Sequence, residues 1–538
     1  MVLIDDLGIN ISVRYMGEDI AECKYFISYM ISIGASKKPK NPDWIVSKEY
    51  YEDIKTKFEY TIKENPWDNI GADMKLTPYP YQKEAIYYAL NNPHGLLLLP
   101  TGAGKTCIGA GIVLELNAEE PIIICTKASL KHNWLQEINK FTDLPAKIID
   151  TPSKAGKRFN EQFENCKIYI LNYETLRNDK VYDKLRAHNV CGIIFDEIQA
   201  IGSYKAARTK AAYQFEDLDL KIGLTATPIT NNPLNLFSIF HMLEREVYIS
   251  YSKFCNRYIV WRNKRPAYAR NVDEMLSKVR PYIFKKDEID IAGQLPELNV
   301  MPPVVCEMTK NMREISDIIN SNIDELNIVL NKLDKQGVEE TDERWIKAQS
   351  NLQAYQTFAQ ELADDITLLQ TDSAYTREFD IYDTTNPKLD KLLDVIEPII
   401  ESGEKVCIFT KYERMQHIII QAINNRFNVE CAHVNGSMTS EERYEQAITK
   451  FDEGDINVIV ATDAMSTGIS LSHCKYLVEY EPANSYADQT QRRGRVRRAN
   501  SVSRISYIYQ LITDESWDII ALKSINKKKG YADYLDKM

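Results

Sequence analysis

The 538-residue sequence predicts an α/β protein with two parallel-sheet domains in tandem, a helical insertion and a small N-terminal α/β accessory domain. Three observations carry this. Short, wholly apolar runs alternate with helical stretches over 71–285, the pattern of strands covered on both faces. The same alternation returns over 386–515, and between the two lie long polar helical stretches.

Length and composition bound the rest. The chain is long enough for two to four domains with full cores, and its composition is that of an ordinary soluble globular protein. No apolar run reaches the ~18–20 residues of a membrane span. The N-terminus, MVLIDDLGIN, is acidic and lacks signal-peptide features. The ten cysteines stand singly, without a Cys-x-x-Cys pair, so a reducing cytoplasmic setting without structural zinc or disulfides is expected. A net charge of −11 counts against a nucleic-acid binder but leaves room for a local basic groove.

The elements follow in order. In residues 1–70, segment 9–15 alternates like a strand and a helix follows over 20–33. A polar loop at 36–42, a short strand at 44–46 and a helix over 50–60 complete this unit. Pro66 and Gly71 mark its end. The first sheet domain, 71–285, has expected strands at 96–99, 122–125, 168–171, 192–195 and 221–224. Residues 286–305, with Gly293, Pro296, Pro302 and Pro303, read as a linker. Helices over 312–333 and 342–369, turning at Lys335-Gln336-Gly337, form an antiparallel hairpin that serves a function or is a plain spacer. The protrusion and linker together fill 286–385. The second sheet domain, 386–515, has expected strands at 406–409, 429–433, 458–461, 476–478 and 505–509. The tail, 516–538, reads as helical, with a basic cluster at Lys527-Lys528-Lys529.

The strongest chemical signal is Pro100-Thr101-Gly102-Ala103-Gly104-Lys105-Thr106, between an apolar strand and a helix. Glycines let backbone N–H groups close on phosphate oxygens, and a helix N-terminus adds positive charge. Lys105 can reach β/γ-phosphates and the Thr106 hydroxyl can ligate Mg²⁺, although Leu99 stands where the strict pattern has its first Gly.

A second buried strand ends in Asp196-Glu197. Asp196 would hold Mg²⁺ through water, and Glu197 would orient and deprotonate the attacking water. Leu224-Thr225-Ala226-Thr227-Pro228 places two small hydroxyls in a tight turn suited to sensing the γ-phosphate. In the cationic stretch from Gln491 to Arg498, Arg495 and Arg498 are spaced to share one helical side and to act as arginine fingers across a cleft. Gln82, ahead of the loop, carries an amide suited to adenine's N6 and N7 edge.

In this order the motifs resemble those of superfamily 2 helicases, and within them the SWI/SNF-like DNA translocases, over roughly 76–515. The stretch Ala128-Ser129-Leu130-Lys131-His132-Asn133-Trp134-Leu135-Gln136-Glu137 with Phe141 matches that family. So do Leu171-Asn172-Tyr173-Glu174 and Thr225-Ala226-Thr227-Pro228-Ile229-Thr230-Asn231. In the second domain, Phe409-Thr410-Lys411-Tyr412, Asn435-Gly436 with Arg443 and Phe451, Ala461-Thr462-Asp463 and Thr467-Gly468-Ile469 match in sequence.

The resemblance implies two RecA-like domains that use ATP and Mg²⁺. It implies nucleotide contacts at Gln82, Thr101 to Thr106, Gly468 and Gln491, and catalytic roles for Lys105, Glu197, Arg495 and Arg498. It also implies a nucleic-acid track along Lys127, Ser129, Asn172, Tyr173, Lys411, Asn435, Gly436, Thr462 and Thr467, whose phosphate contacts would not read bases. Two departures stand out: Asp196-Glu197-Ile198-Gln199 replaces Asp-Glu-Ala-His, and Arg495-Val496-Arg497-Arg498-Ala499-Asn500-Ser501 replaces Arg-x-His-Arg-Ile-Gly-Gln. Residues 1–70 resemble the HepA-related domain of annealing helicases through Tyr15, Trp44-Ile45-Val46 and Tyr50-Tyr51.

The expected function is an ATP-dependent translocase on double-stranded or branched DNA. The alternatives are a strand-separating DNA helicase and, in another class, a nucleotide-gated DNA clamp or recruitment module with little turnover.

Overall fold

The computed structural model describes the chain apart from residues 7–9, 18, 38–43, 63–64, 229–232, 263–264, 289, 292–294, 371–378, 466–468, 470, 499–500 and 526–538. Ile229 to Asn231, Gly293, Thr467, Gly468 and the lysine cluster at 527–529 therefore lie outside the described residues. The chain forms two compact units, the first built on 1–297 and the second on 298–497 with the strand that follows.

The first unit begins with a five-stranded sheet in the order β3-β4-β2-β1-β5. Its elements are β1 (Val2–Asp6), β2 (Asn10–Tyr15), α1 (Ile20–Ser32), β3 (Ser36–Lys37), β4 (Trp44–Ser47), α2 (Tyr51–Lys57) and β5 (Tyr60–Ile62). The helix α1 starts where Asp19 accepts hydrogen bonds from the backbone N–H groups of Ala21 and Glu22. Its Phe26, Tyr29 and Met30 pack with Val2, Ile4, Val13, Trp44, Val46 and Ile54 in one core.

The large sheet of this unit follows. Its elements are α3 (Pro80–Asn91), β6 (Leu96–Leu98), α4 (Lys105–Leu116), β7 (Ile122–Thr126), α5 (Lys131–Phe141), β8 (Ala146–Ile148), α6 (Pro152–Ala155), β9 (Ile168–Asn172), α7 (Asp179–Ala187), β10 (Gly192–Asp196), α8 (Ala207–Tyr213) and β11 (Leu220–Thr225). Beyond them come α9 (Leu234–Leu243), α10 (Tyr251–Tyr258), a hairpin of β12 (Ile259–Arg262) and β13 (Arg265–Ala269), α11 (Val272–Val279) and β14 (Ile283–Lys285). The seven strands run β14-β6-β11-β10-β7-β9-β8, every pair parallel. Strand side chains alternate between two cores. Ile193 and Phe195 enter one and Ile194 the other, which is why β10 reads as one unbroken apolar run.

The second unit carries β15 (Glu297–Val300), β16 (Val304–Cys306), α12 (Lys310–Lys335), α13 (Glu343–Asp364), α14 (Pro387–Glu401), β17 (Val406–Phe409), α15 (Glu413–Phe427) and β18 (Cys431–Val434). It continues through α16 (Ser440–Tyr444), β19 (Val458–Ala461), β20 (Tyr476–Glu479), α17 (Tyr486–Arg493) and β21 (Ile505–Thr513). Its sheet runs β15-β21-β20-β17-β19-β18, with β16 also pairing β21 in parallel. A final helix begins at 517. The helices α12 and α13 form the expected hairpin, and Gly337 at its turn has φ +73°, a left-handed conformation that favours glycine.

Two expectations are corrected here. Residues 286–305 are not a plain linker, because β15 and β16 lie in that stretch and edge the second sheet. Prolines 302 and 303 fall between the two strands and leave both ladders intact. The first sheet also has two strands that the apolar runs do not announce. Both, β8 and β14, are short edge strands with partly exposed residues.

Candidate nucleotide site and nucleic-acid track

The loop between β6 and α4 has the backbone of a phosphate cradle. Gly102 and Gly104 have φ of +82° and +72°, conformations that cost a side-chain-bearing residue strain. Gly104 also has no room for a Cβ, which would come within 2.4 Å of the Gln82 amide nitrogen. Ala103 is buried, and its carbonyl accepts from the Tyr81 hydroxyl at 2.8 Å and from Gln82 Nε2 at 3.1 Å. Lys105 folds its ammonium back toward the carbonyls of Leu99 and Pro100, at 3.5 and 3.4 Å. Lys105 and Thr106 open α4, at the positive end of its dipole.

Gln82 has a different task from the expected adenine contact. Its amide is buried, with Oε1 accepting from the Tyr79 N–H at 2.9 Å and Nε2 donating into the loop. This amide braces the loop and caps α3, so its hydrogen-bonding capacity is spent inside the protein.

Asp196 ends β10 and Glu197 turns away from it with φ +54° and ψ +55°, a left-handed conformation that a glutamate adopts only when neighbours hold it there. The Tyr173 hydroxyl supplies that hold, donating to the Asp196 carbonyl at 2.8 Å and reaching the Glu197 carbonyl at 3.4 Å. Asp196 Oδ2 accepts from Thr126 Oγ1 and from Trp134 Nε1, both at 2.8 Å. Oδ1 takes no hydrogen bond from the described residues. Burial and then the neighbouring Glu197 push the Asp196 carboxyl above the usual range, while Trp134 and Thr126 oppose them.

These donors fit a divalent cation. An Asp oxygen that no described residue bonds and a threonine hydroxyl at a helix start are hard oxygen ligands of the kind Mg²⁺ takes beside phosphate. Among the described residues no cluster of three His, Cys, Asp or Glu side chains forms a protein-only metal cage.

Gln199, at the position where the resembling family has His, links two motifs. Its Nε2 donates to Glu197 Oε2 and its Oε1 accepts from Thr225 Oγ1 at 2.7 Å. Thr225 Oγ1 in turn accepts from the Thr227 N–H at 2.9 Å. The polar line from the Thr225-Ala226-Thr227 turn to the carboxylate is therefore complete without a histidine.

The residues expected to line a nucleic-acid track divide into two groups. Lys127 and Ser129 sit half-buried just past the carboxyl end of β7, and Gly436 is exposed. Tyr173 is corrected, since its ring is only 2% exposed, stacks on Phe195 and spends its hydroxyl on the Asp196–Glu197 turn. Asn172 is also buried, and its side chain bonds Thr175 and Glu174 within its own turn. Thr462 and Asn435 close the ends of β19 and β18. Thr462 Oγ1 accepts from the Ala464 N–H, and Asn435 joins Gln416 at 3.0 Å. The ammonium of Lys411 is held by Gln360 of α13, and its backbone N–H by the Glu481 carboxylate.

The cationic stretch is also rearranged relative to expectation. The helix α17 ends at Arg493, so Arg495 and Arg498 lie beyond it and do not share a helical face. Arg495 is buried, with Nε on the Gln491 carbonyl at 3.1 Å and Nη1 on the Ile469 carbonyl at 2.6 Å. Gln491 is buried on α17. Burial pushes the Arg498 guanidinium down to about 10. Two other arginines are internal braces that the run of charges conceals. Arg492 pairs with Asp463 at 2.7 Å, and Arg493 pairs with Glu479 at 2.9 Å.

The sequence matches the SNF2-related domain over residues 25–400, more than half of the chain. The chain belongs to the SNF2-related family. The helicase conserved C-terminal domain matches over residues 387–500. Among curated relatives, a Bacillus subtilis protein described as an ATP-dependent helicase/translocase, YwqA, is 23% identical over 84% of this chain and 48% of its own length. The human DNA annealing helicase and endonuclease ZRANB3 is 26% identical over 43% of this chain and 23% of its own. This SNF2-related chain thus spans less than half the length of either relative. A solved SWI2/SNF2 ATPase core from Sulfolobus solfataricus, in complex with dsDNA, aligns over 86% of this chain and 97% of that one. Its identity is 20% and its TM-score 0.38.

Thr126, Trp134 and Gln199 are functional candidates that residue-type reasoning passes over. Gln199 leaves a visible signal as the substituted fourth position of the Asp-Glu motif and Trp134 as part of the matching 128–137 stretch, while Thr126 leaves none.

Proposed function

We propose that this SNF2-related chain hydrolyses ATP with Mg²⁺ and uses the cycle to translocate on duplex or branched DNA. The observation that carries this is the cluster at the carboxyl ends of β6, β10 and β11. There a glycine cradle, a metal-suited carboxylate and a strained, hydrogen-bonded glutamate are held by one parallel sheet. Lys105 and the loop N–H groups bind the phosphates, with Thr106 and Asp196 toward the cation. The cation supplies charge neutralisation on the phosphates. Glu197 orients the water and takes its proton, and Gln199 aims that carboxylate. Arg495 and Arg498 are assigned to the transferring phosphate on the sequence pattern.

Movement on DNA rests on family membership and on phosphate-suited groups at Lys127, Ser129 and Gly436. The test is steady-state ATP turnover without nucleic acid and with duplex, single-stranded and forked DNA or RNA at matched low salt. Stimulation by duplex or forked DNA is expected. Stimulation by single strands alone favours a strand-separating helicase, by RNA alone overturns the DNA assignment, and no turnover with any of them points to a clamp.

A further inference from the structure

Two hydrogen bonds from residues with no assigned catalytic role converge on one atom. Trp134 Nε1 and Thr126 Oγ1 both donate to Asp196 Oδ2 at 2.8 Å. Trp134 is fully buried, and the edge of its ring lies over α4, where a Cβ on Gly109 would come within 2.6 Å of it. The side chain is wedged between the helix that opens with Lys105 and the carboxylate that ends β10. It is carried by α5, whose start adjoins Lys127 and Ser129. Packing alone needs only an aromatic ring there. An indole N–H aimed at a buried carboxylate does more, because it fixes which oxygen is occupied.

We infer that Trp134 is a positioning residue. With Thr126 it occupies Oδ2 and so reserves Oδ1 of Asp196 for the divalent cation. Through α5 it passes the state of the 127–129 segment to that carboxylate. The inference rests on the proposed ATP and Mg²⁺ reading. A nucleic-acid strand that shifts the start of α5 moves the indole, and with it the angle of the carboxylate. By linkage, the cation must in turn change the affinity for the strand.

The test uses manganese(II) as the probe. Its binding to the full chain with a non-hydrolysable ATP analogue is read by electron paramagnetic resonance, with and without duplex DNA. Trp134→Phe keeps the ring and removes the N–H. It is expected to weaken manganese binding about tenfold, in the range that loss of a group orienting a metal ligand produces. Nucleotide affinity and DNA affinity measured without metal are expected to stay at wild-type values, and the tightening of manganese by DNA expected for wild type is expected to fall away. Thr126→Val repeats the loss of metal affinity and Thr126→Ser restores it, with thermal melting confirming that each variant is folded.

A folded Trp134→Phe protein that binds manganese as wild type does overturns the inference and leaves Trp134 a packing residue. An equal DNA effect in both proteins, or none in wild type, overturns the transmission through α5. A wild-type chain that gains no manganese affinity from the nucleotide overturns the proposed function itself, and that failure is recognised because it occurs before any substitution.

Discussion

The hydroxyl of Thr225 donates to Gln199 Oε1 at 2.7 Å, and the nitrogen of the same amide donates to Glu197. One side chain thus ties the turn after β11 to the carboxylate after β10. Gln199→Ala is expected to lower single-turnover hydrolysis about tenfold, a fraction of what a general base itself supplies, with nucleotide affinity unchanged. Gln199→Glu should do worse, since it sets a second negative charge against Glu197.

Glu197→Gln keeps a similar shape and loses the base. Nucleotide binding is expected to persist while hydrolysis falls about 100-fold or more. Lys105→Ala is expected to abolish turnover. Equilibrium binding of a fluorescent ATP analogue beside a phosphate-release assay separates the two. Loss of binding in Glu197→Gln would make the residue structural.

The arginines of the second unit should split by role. Arg492 is fully buried against the half-buried Asp463 carboxylate and the Glu481 carbonyl, so Arg492→Ala strips both of their partner. Urea unfolding should show that it costs about 1–3 kcal/mol, the usual range for leaving a buried hydrogen-bonding group without its partner. Arg495→Ala is expected to lower turnover with little loss of DNA affinity. A collapse of DNA binding with normal turnover per bound complex would instead mark the stretch as a DNA patch.

The polar core of the second unit has a pH signature. Burial pushes the Asp364 carboxyl up to about 7, against the opposing pull of Lys388, which contacts it at 2.9 Å and Asp518 at 2.7 Å. A raised folded-state pKa means that the native state holds the proton more tightly. Its contribution is full below the ordinary carboxylate value and lost as pH rises through about 7. Asp364→Asn should therefore gain stability relative to wild type as pH rises from about 4 to about 7. Paired denaturant titrations across that range check the sign.

The fold was legible because both sheets are buried on both faces. The strands at 406–409 and 458–461 fall where their apolar runs lie. The edge strands β8, β14, β15 and β16 were not, since their exposed residues dilute the apolar signal and neighbouring prolines suggest a linker. The phosphate loop and Asp196-Glu197 were legible as local patterns. The tasks of Tyr173, Gln82 and Arg492 were not. Each looks like a ligand-facing group in sequence, and its burial is decided by partners far along the chain. The end of α17 at Arg493 likewise overrides the helical spacing of the arginines after it.

The proposed cycle moves the chain along duplex DNA at the expense of ATP. The direct measurement is displacement of a third strand from a triplex by the full chain, followed beside separation of the duplex below it. ATP-dependent release of the third strand with the duplex left paired is expected, and none with Lys105→Ala. Duplex separation as fast as third-strand release, or release that does not require ATP, would contradict the proposed cycle.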